Sequence, residues 1–155
     1  MEKPLAPIWV FKLMNPSMKA LLQSPLHPLF SGTLMLITYR GHKSGKAFTH
    51  PIGYFEWSPD ELLSFSSEHW WVNVQDRSPV TLLVKGHWLQ GAPTVLREHA
   101  AVVESIKEFI RRLGLKPALR LAVGLPGDRE PTSADFDAIP PGRTIIIFKV
   151  VGRTE

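Results

Sequence analysis

Residues Leu34 to Pro51 read Leu-Met-Leu-Ile-Thr-Tyr-Arg-Gly-His-Lys-Ser-Gly-Lys-Ala-Phe-Thr-His-Pro. The apolar and partly β-branched run Leu34–Tyr39 predicts a buried strand. The sequence then breaks at Gly41 and Gly45, and a second extended segment continues through Thr49. Two strands joined by a short polar bend therefore organise this part of the chain.

The bend places Lys43 and Ser44 between the glycines at 41 and 45. Glycines allow the backbone to turn tightly and to direct its N–H groups outward. A concave set of N–H donors beside a fixed positive charge suits a phosphate or a carboxylate. The alternative from the spacing alone is a hairpin turn with solvated charges.

Composition narrows the class of protein. The chain has 155 residues, a net charge of +4 and no cysteine. This length predicts a single domain, residues 1–155, with a real hydrophobic core. The absence of cysteine excludes disulfides and thiolate metal sites, and it is compatible with a cytoplasmic location. The histidines lack the spacing of a metal site, so no metal is expected.

Further strands are expected along the rest of the chain. The pattern predicts about six, near residues 34–39, 49–55, 61–67, 80–85, 88–96 and 143–151. The last of these is too apolar for an edge strand and is expected to pair centrally. Several short strands separated by turn signals indicate a mostly β protein with accessory helices, built as a sandwich or small barrel.

Helices are expected in several places. The clearest is residues 98–113, where apolar side chains recur at steps of three and four and Gly114 ends the pattern. Residues 68–75 predict a short helix, residues 116–123 a helical turn, and Thr132 with Asp135 a capping box. The N-terminal segment 8–22 is amphipathic and is divided at Pro16. It is expected to dock on the barrel, cover a ligand or contact a membrane surface.

Three motifs carry a resemblance to a known family. They are Gly41-His42-Lys43-Ser44-Gly45, then Pro51 and Tyr54, and then Trp70-Trp71-Val72-Asn73. Together they resemble the deazaflavin-dependent nitroreductase family, whose pattern runs Gly-Arg-Lys-Ser-Gly, Pro, Tyr and Trp-Trp/Tyr-x-Asn. The resemblance covers most of the chain. It implies a split β-barrel related to flavin-mononucleotide (FMN) oxidases, which binds the deazaflavin coenzyme F-420 or, in relatives, FMN.

The implied activity is hydride transfer between the coenzyme and a small quinone- or nitroaromatic-like substrate. The coenzyme supplies the hydride chemistry, so no catalytic acid is assigned, and Tyr39, Tyr54, His50 and His69 are candidates by residue type alone. The predicted cofactor-binding residues are Gly41, His42, Lys43, Ser44, Gly45, Thr49, Pro51, Ile52, Tyr54, Ser66, Trp71 and Asn73. A homodimer is also expected from the barrel relatives.

The residues themselves agree with this chemistry. An acidic coenzyme tail needs a basic bend, and its planar ring needs an apolar slot, for which Pro51, Ile52, Tyr54 and Trp71 are suited. Asn73 carries both a donor and an acceptor, so it suits fixing a loop or a ring edge. Trp71 has the alternative role of a core side chain.

Several positions depart from the family pattern, and two of them lack an arginine that the family has. His42 stands where the family usually has arginine, and Phe48 where many members have a second arginine. Two alternatives therefore stay open, an FMN-binding relative and a non-catalytic binder of a cofactor or an apolar ligand. The positive charge also suits single-stranded nucleic acid, but the basic residues are not interleaved with aromatic ones, so no nucleic-acid partner is expected.

Overall fold

The computed structural model describes residues 34–66, 69–75, 78–121 and 123–153. The predicted N-terminal segment 8–22 lies outside these residues. Seven strands are present: β1 Leu34–Arg40, β2 Ala47–Gly53, β3 Phe55–Ser58, β4 Glu61–Ser66, β5 Val80–Val84, β6 His87–Leu96 and β7 Thr144–Arg153. Three α-helices accompany them within the described chain: α1 His99–Leu113, α2 Leu115–Ala118 and α3 Ser133–Asp137. Short 3-10 helices span His69–Asn73 and Leu119–Leu121.

The strand count corrects the expectation of about six. The predicted strand 49–55 ends at Gly53, and a separate strand, β3, begins at Phe55. The strand order is β2-β1-β5-β6-β7-β4-β3, with antiparallel pairing throughout. β2 and β3 are consecutive in sequence, yet they lie at opposite edges of the sheet. The apolar pattern runs through both strands, so it could not show where the chain leaves one edge for the other.

The order of the strands explains the shape of the barrel. Because only Tyr54 separates β2 from β3, the sheet must curl until its two edges approach each other. Strand β3 pairs with residues 61–63 of β4, which leaves the second half of β4 facing β2 across a gap. The Ser64 hydroxyl bridges this gap by donating to the Gly53 carbonyl at 2.8 Å. We call this gap the split.

The two larger hydrophobic clusters of the described residues lie on opposite sides of the sheet. The barrel interior holds buried side chains from β1, β5 and β7, among them Met35, Leu82 and Phe148. The second core packs α1 against the opposite face of β7 through Ile106 and Phe109. Strand β7 pairs with both β4 and β6, which confirms its predicted central position.

The helix predictions that fall on the described residues are confirmed, with small shifts at their ends. Helix α1 begins at His99 with Glu98 as its N-cap, and it ends before Gly114, whose φ is 91°. The predicted capping box is present at α3, where the Asp135 carboxylate accepts from the Thr132 N–H at 2.7 Å. No helix in the described parts of the chain is long and apolar enough to cross a membrane.

The ion pairs of Glu108 near the end of α1 lead to a testable prediction about stability in acid. Hydrogen bonds from Arg111 and then Arg112 lower the pKa of Glu108 from 4.5 to about 2. Because the pKa falls on folding, these contacts stabilise the protein fully above pH 4.5 and are lost as the pH drops towards 2. We expect Glu108→Gln to make stability less pH-dependent in this window, as measured by urea unfolding.

A control for this prediction lies one turn earlier on the same helix. Glu104→Gln removes a single contact, the 3.2 Å ion pair with Lys107, and should leave the acid profile closer to that of the parent protein. An unchanged profile in the Glu108 variant would contradict the prediction.

Candidate functional site

The bend between β1 and β2 is closed by its own backbone. The Gly41 N–H donates to the Lys46 carbonyl at 2.8 Å, and the Gly45 N–H donates to the Gly41 carbonyl at 2.9 Å. The Arg40 guanidinium adds a 3.0 Å hydrogen bond to the Gly45 carbonyl. Gly45 has a φ of +69°, a left-handed conformation that favours glycine. The predicted tight turn is therefore present, and its own hydrogen bonds hold it closed.

Few of the N–H groups in the bend point outward. The His42 N–H donates to the Asn73 side chain at 3.0 Å, and the Lys46 N–H donates to the Ser44 hydroxyl at 3.3 Å. Among the described residues, the N–H groups of Lys43 and Ser44 have no hydrogen-bond partner. The set of donors available to an anion is therefore smaller than the sequence suggested.

Asn73 joins the bend to the 3-10 helix His69–Asn73. Its Oδ1 accepts from the His42 N–H and lies 2.9 Å from His42 Nδ1. Its Nδ2 donates to the Trp70 carbonyl at 3.2 Å, which holds the amide plane. The sequence allowed Asn73 to fix either a loop or the edge of a ligand ring. In the structure its side chain fixes the bend.

A cleft of about 500 Å³ lies beside the bend, between the end of β1 and the start of β5. The predicted site residues Gly41, His42 and Asn73 line it. The other lining residues are Thr38, Tyr39, Arg40, Ala47, Ser78, Pro79, Val80 and Thr81. Of the described residues that line the cleft, Arg40 carries a fixed positive charge and none carries a carboxylate, so this lining is suited to an anionic ligand.

A smaller groove of about 230 Å³ occupies the split. It brings together three further predicted residues, Pro51, Ile52 and Ser66, with the half-buried side chain of Trp70. The exposed lining of the groove is more polar than apolar and includes the side chains of Ser64, Ser66 and His50. The tryptophan in this groove is Trp70 rather than the predicted Trp71.

An aromatic cluster, which the sequence analysis did not assemble, borders both cavities. The ring of Tyr39 stacks on Phe48 and on Trp70, with 5.8 Å between centroids in each pair. Its hydroxyl lies 3.1 Å from His50 Nε2. Tyr39 lines the cleft, whereas His50 and Trp70 line the groove. The β1–β2 register, which pairs Tyr39 with Phe48, is the signal that would have revealed part of it.

Six predicted residues line neither the cleft nor the groove: Lys43, Ser44, Gly45, Thr49, Tyr54 and Trp71. Tyr54 is 2 % exposed and lines a different cavity with Lys85, which is at the far end of β5 from the cleft. Burial raises the pKa of the Tyr54 phenol, and the positive charge of Lys85 offsets part of that rise. Trp71 packs under Arg97, whose guanidinium carbon lies 4.0 Å from the ring centroid, and both line a separate cavity. The predicted four-residue slot is therefore not assembled.

Thr49 and His69 complete the placement of the predicted residues. The Thr49 hydroxyl lies 2.8 Å from that of Thr38, which lines the cleft, so Thr49 reaches the site through its neighbour. His69 is exposed at the start of the 3-10 helix. The described residues contain no cluster of histidine and carboxylate side chains that could hold a metal ion.

The left-handed turn at Gly45 gives a prediction about stability. We expect Gly45→Ala to lower the free energy of unfolding by about 1 kcal/mol, because a Cβ is strained at this φ. The cost comes from the backbone alone, since an added Cβ would meet nothing within 4 Å. Gly45→Asn is the matched control and should lose less, because asparagine tolerates this conformation. Urea unfolding of the two variants measures the difference, and equal losses would contradict it.

Comparison with known proteins supports the fold. An FMN-binding protein related to pyridoxamine 5'-phosphate oxidase from Nostoc punctiforme aligns with a TM-score of 0.53 and 15% identity, over 96% of this chain and 84% of its own. The fold is therefore the split β-barrel of FMN-binding proteins. A candidate 5-nitroimidazole antibiotic resistance protein from Bacteroides thetaiotaomicron aligns with a TM-score of 0.50 and 11% identity, over 89% of this chain and 80% of its own.

These comparisons confirm the split barrel that the sequence resemblance implied. Identities of 11% and 15% support the fold only. No protein-family profile matches the sequence. No curated protein sequence matches it either.

Proposed function

We propose that this split barrel is a deazaflavin-dependent oxidoreductase. In this proposal, it transfers a hydride between the coenzyme F-420 and a small quinone- or nitroaromatic-like substrate. The observation that carries the proposal is the position of the Gly41–Gly45 bend against the 500 Å³ cleft, to which Asn73 ties it. A bend that faced open solvent with no cavity beside it would have removed the basis for an enzyme.

The residues around the cleft fit the acidic end of such a coenzyme. Arg40 lines the cleft, and the exposed Lys43 and Lys46 add positive charge in the bend. The cleft volume of about 500 Å³ falls within the range of ~300–1,000 Å³ that is usual for ligand pockets. When bound, the coenzyme would supply the hydride chemistry. The protein's part is to bind, orient and exclude water.

We place the planar ring against Tyr39, the member of the aromatic cluster that lines the cleft. Phe48 and Trp70 stack on Tyr39 and hold its ring in place. This aromatic side chain takes the place of the slot predicted from Pro51, Ile52, Tyr54 and Trp71, and it keeps water from that part of the cleft wall. We assign the substrate to the adjoining groove in the split, since its 230 Å³ is too small for the coenzyme with its tail.

A titration of the purified protein tests this proposal. We expect oxidised or reduced deazaflavin to bind in the low micromolar range, with quenching of tryptophan fluorescence. We also expect the bound reduced coenzyme to be oxidised by a quinone or a nitroaromatic compound. Binding of FMN in the absence of deazaflavin binding would overturn the proposal in favour of the second candidate.

That second candidate is an FMN-binding oxidoreductase with the same barrel. One observation favours it: Phe48, which stands where many deazaflavin enzymes have an arginine, stacks on Tyr39 and adds no charge. A third candidate is a binder without activity, for which coenzyme would bind but no acceptor would be reduced. Expression in a host that makes deazaflavin, followed by an absorption spectrum of the purified protein, separates the two coenzymes.

The other expectations stay predictions. A homodimer is testable by sedimentation equilibrium, and a cytoplasmic location by fractionation. Membrane contact through the segment 8–22 lies outside the described residues, and flotation with liposomes would test it.

A further inference from the structure

The imidazole of His42 is held in one orientation by a single oxygen. Asn73 Oδ1 accepts the main-chain N–H of His42 at 3.0 Å, so this atom is the oxygen of the amide and not its nitrogen. The same oxygen lies 2.9 Å from His42 Nδ1. An acceptor at that distance requires a hydrogen on Nδ1. The tautomer of His42 is therefore set by Asn73.

This arrangement leaves the second ring nitrogen available. His42 is exposed and lines the cleft, and its Nε2 has no hydrogen-bond partner among the described residues. With the hydrogen on Nδ1, a neutral ring presents only a lone pair at Nε2, which repels an anion. Protonation converts this lone pair into an N–H donor with a positive charge, which attracts an anion.

The charged groups around His42 also favour an anionic ligand. Arg40 on β1 lines the same cleft, and Lys43 and Lys46 lie in the same bend. On the 3-10 helix His69–Asn73, which packs against the bend, Asn73 carries no charge and the one titratable group is His69. Thr81 on β5 is uncharged, and no carboxylate among the described residues lines the cleft. An anion is therefore the ligand that would stabilise a protonated His42.

We infer that His42 makes anion binding in this cleft proton-coupled. A phosphate or sulfate group binds between His42 Nε2 and the Arg40 guanidinium, and His42 takes up a proton as the anion binds. Histidine is suited to this role because its charge changes between about pH 5 and 8. The inference deepens the proposed function and rests on it in one respect, that the cleft holds the acidic part of a coenzyme.

The test uses inorganic sulfate, whose charge is constant over this pH range. At constant ionic strength, titrations followed by the amide NMR signals of the Gly41–Lys46 bend give the Kd. We expect sulfate to bind about tenfold more tightly at pH 5.5 than at pH 8, the effect of one charge-assisted hydrogen bond. Calorimetry in buffers of different ionisation enthalpy should detect uptake of a proton.

Three variants identify the group that is responsible. His42→Asn should bind weakly at both pH values, whereas His42→Arg should bind tightly at both. His87→Asn is the matched control, because His87 is exposed at the β5–β6 turn and outside the cleft, and it should keep the full pH dependence. Equal affinities of the parent protein at both pH values, or a pH dependence that survives in His42→Asn, would overturn the inference.

The outcome is separable from that of the proposed function. Sulfate probes the anion site whichever coenzyme the protein uses. If sulfate binding is proton-coupled and deazaflavin does not bind, the inference stands and the deazaflavin assignment fails. If deazaflavin binds and sulfate binding is independent of pH, the assignment stands and the inference fails.

Discussion

Replacement of Phe109 by alanine is expected to lower the free energy of unfolding by about 3–5 kcal/mol, the usual cost of truncating a buried phenylalanine. Phe109 is 1% exposed in the core between α1 and the sheet. Its ring meets that of Phe55 edge-on at 4.7 Å and stacks on Trp57 at 6.3 Å. The variant loses these contacts and leaves a cavity beside the edge strand β3.

Urea unfolding measures this effect, and Phe48→Ala provides the matched control. Phe48 is 43% exposed, so the same truncation removes little buried surface there and should cost about 1 kcal/mol, mainly from its stacking on Tyr39. A similar loss in both variants would contradict the packing assigned to α1. The Phe109 variant should also bind sulfate as the parent protein does, because β3 and α1 do not line the cleft.

Replacement of Asn73 by alanine is expected to weaken coenzyme binding about tenfold and to lower stability by about 1–2 kcal/mol. The change removes the acceptor for both His42 donors and the amide group that donates to the Trp70 carbonyl. The bend then loses its tie to the 3-10 helix, and its cations are no longer held beside the cleft. Order lost in the free protein must be regained when the anion binds.

Fluorescence titration with coenzyme and urea unfolding measure the two effects. Gln75→Ala is the control, since Gln75 is an exposed amide two residues further along that lines a separate cavity. We expect this variant to retain both affinity and stability. Coenzyme affinity that is unchanged in Asn73→Ala would contradict the role assigned to Asn73.

Much of the fold could be predicted because its signals are local. The apolar run of β1, the glycines of the bend and the helical period of α1 each act within a few residues of the chain. The same holds for the capping box, in which Thr132 and Asp135 are three residues apart. Where the prediction was wrong, as in the strand 49–55, the missing information was which edge of the sheet each half of the segment joins.

The residues of the candidate site were likewise predicted only in part. Gly41, His42, Asn73 and Pro51 were identified from the sequence as residues suited to a ligand, and the structure places them around two adjoining cavities. Tyr54 and Trp71 were chosen for the same reason, yet they lie in other cavities. Residue type and spacing in sequence do not state which face of a curled sheet a side chain occupies.

The sequence by itself determined most of the strands, the long helix, the tight polar bend and its positive charge, because these depend on neighbouring residues. Only the tertiary structure decided that Asn73 ties down the bend, that Tyr39 meets Trp70, and that a cleft lies beside His42. Each of these depends on residues some thirty positions apart. Their meeting follows from strand register and from the closure of the barrel, and neither leaves a local pattern in the chain.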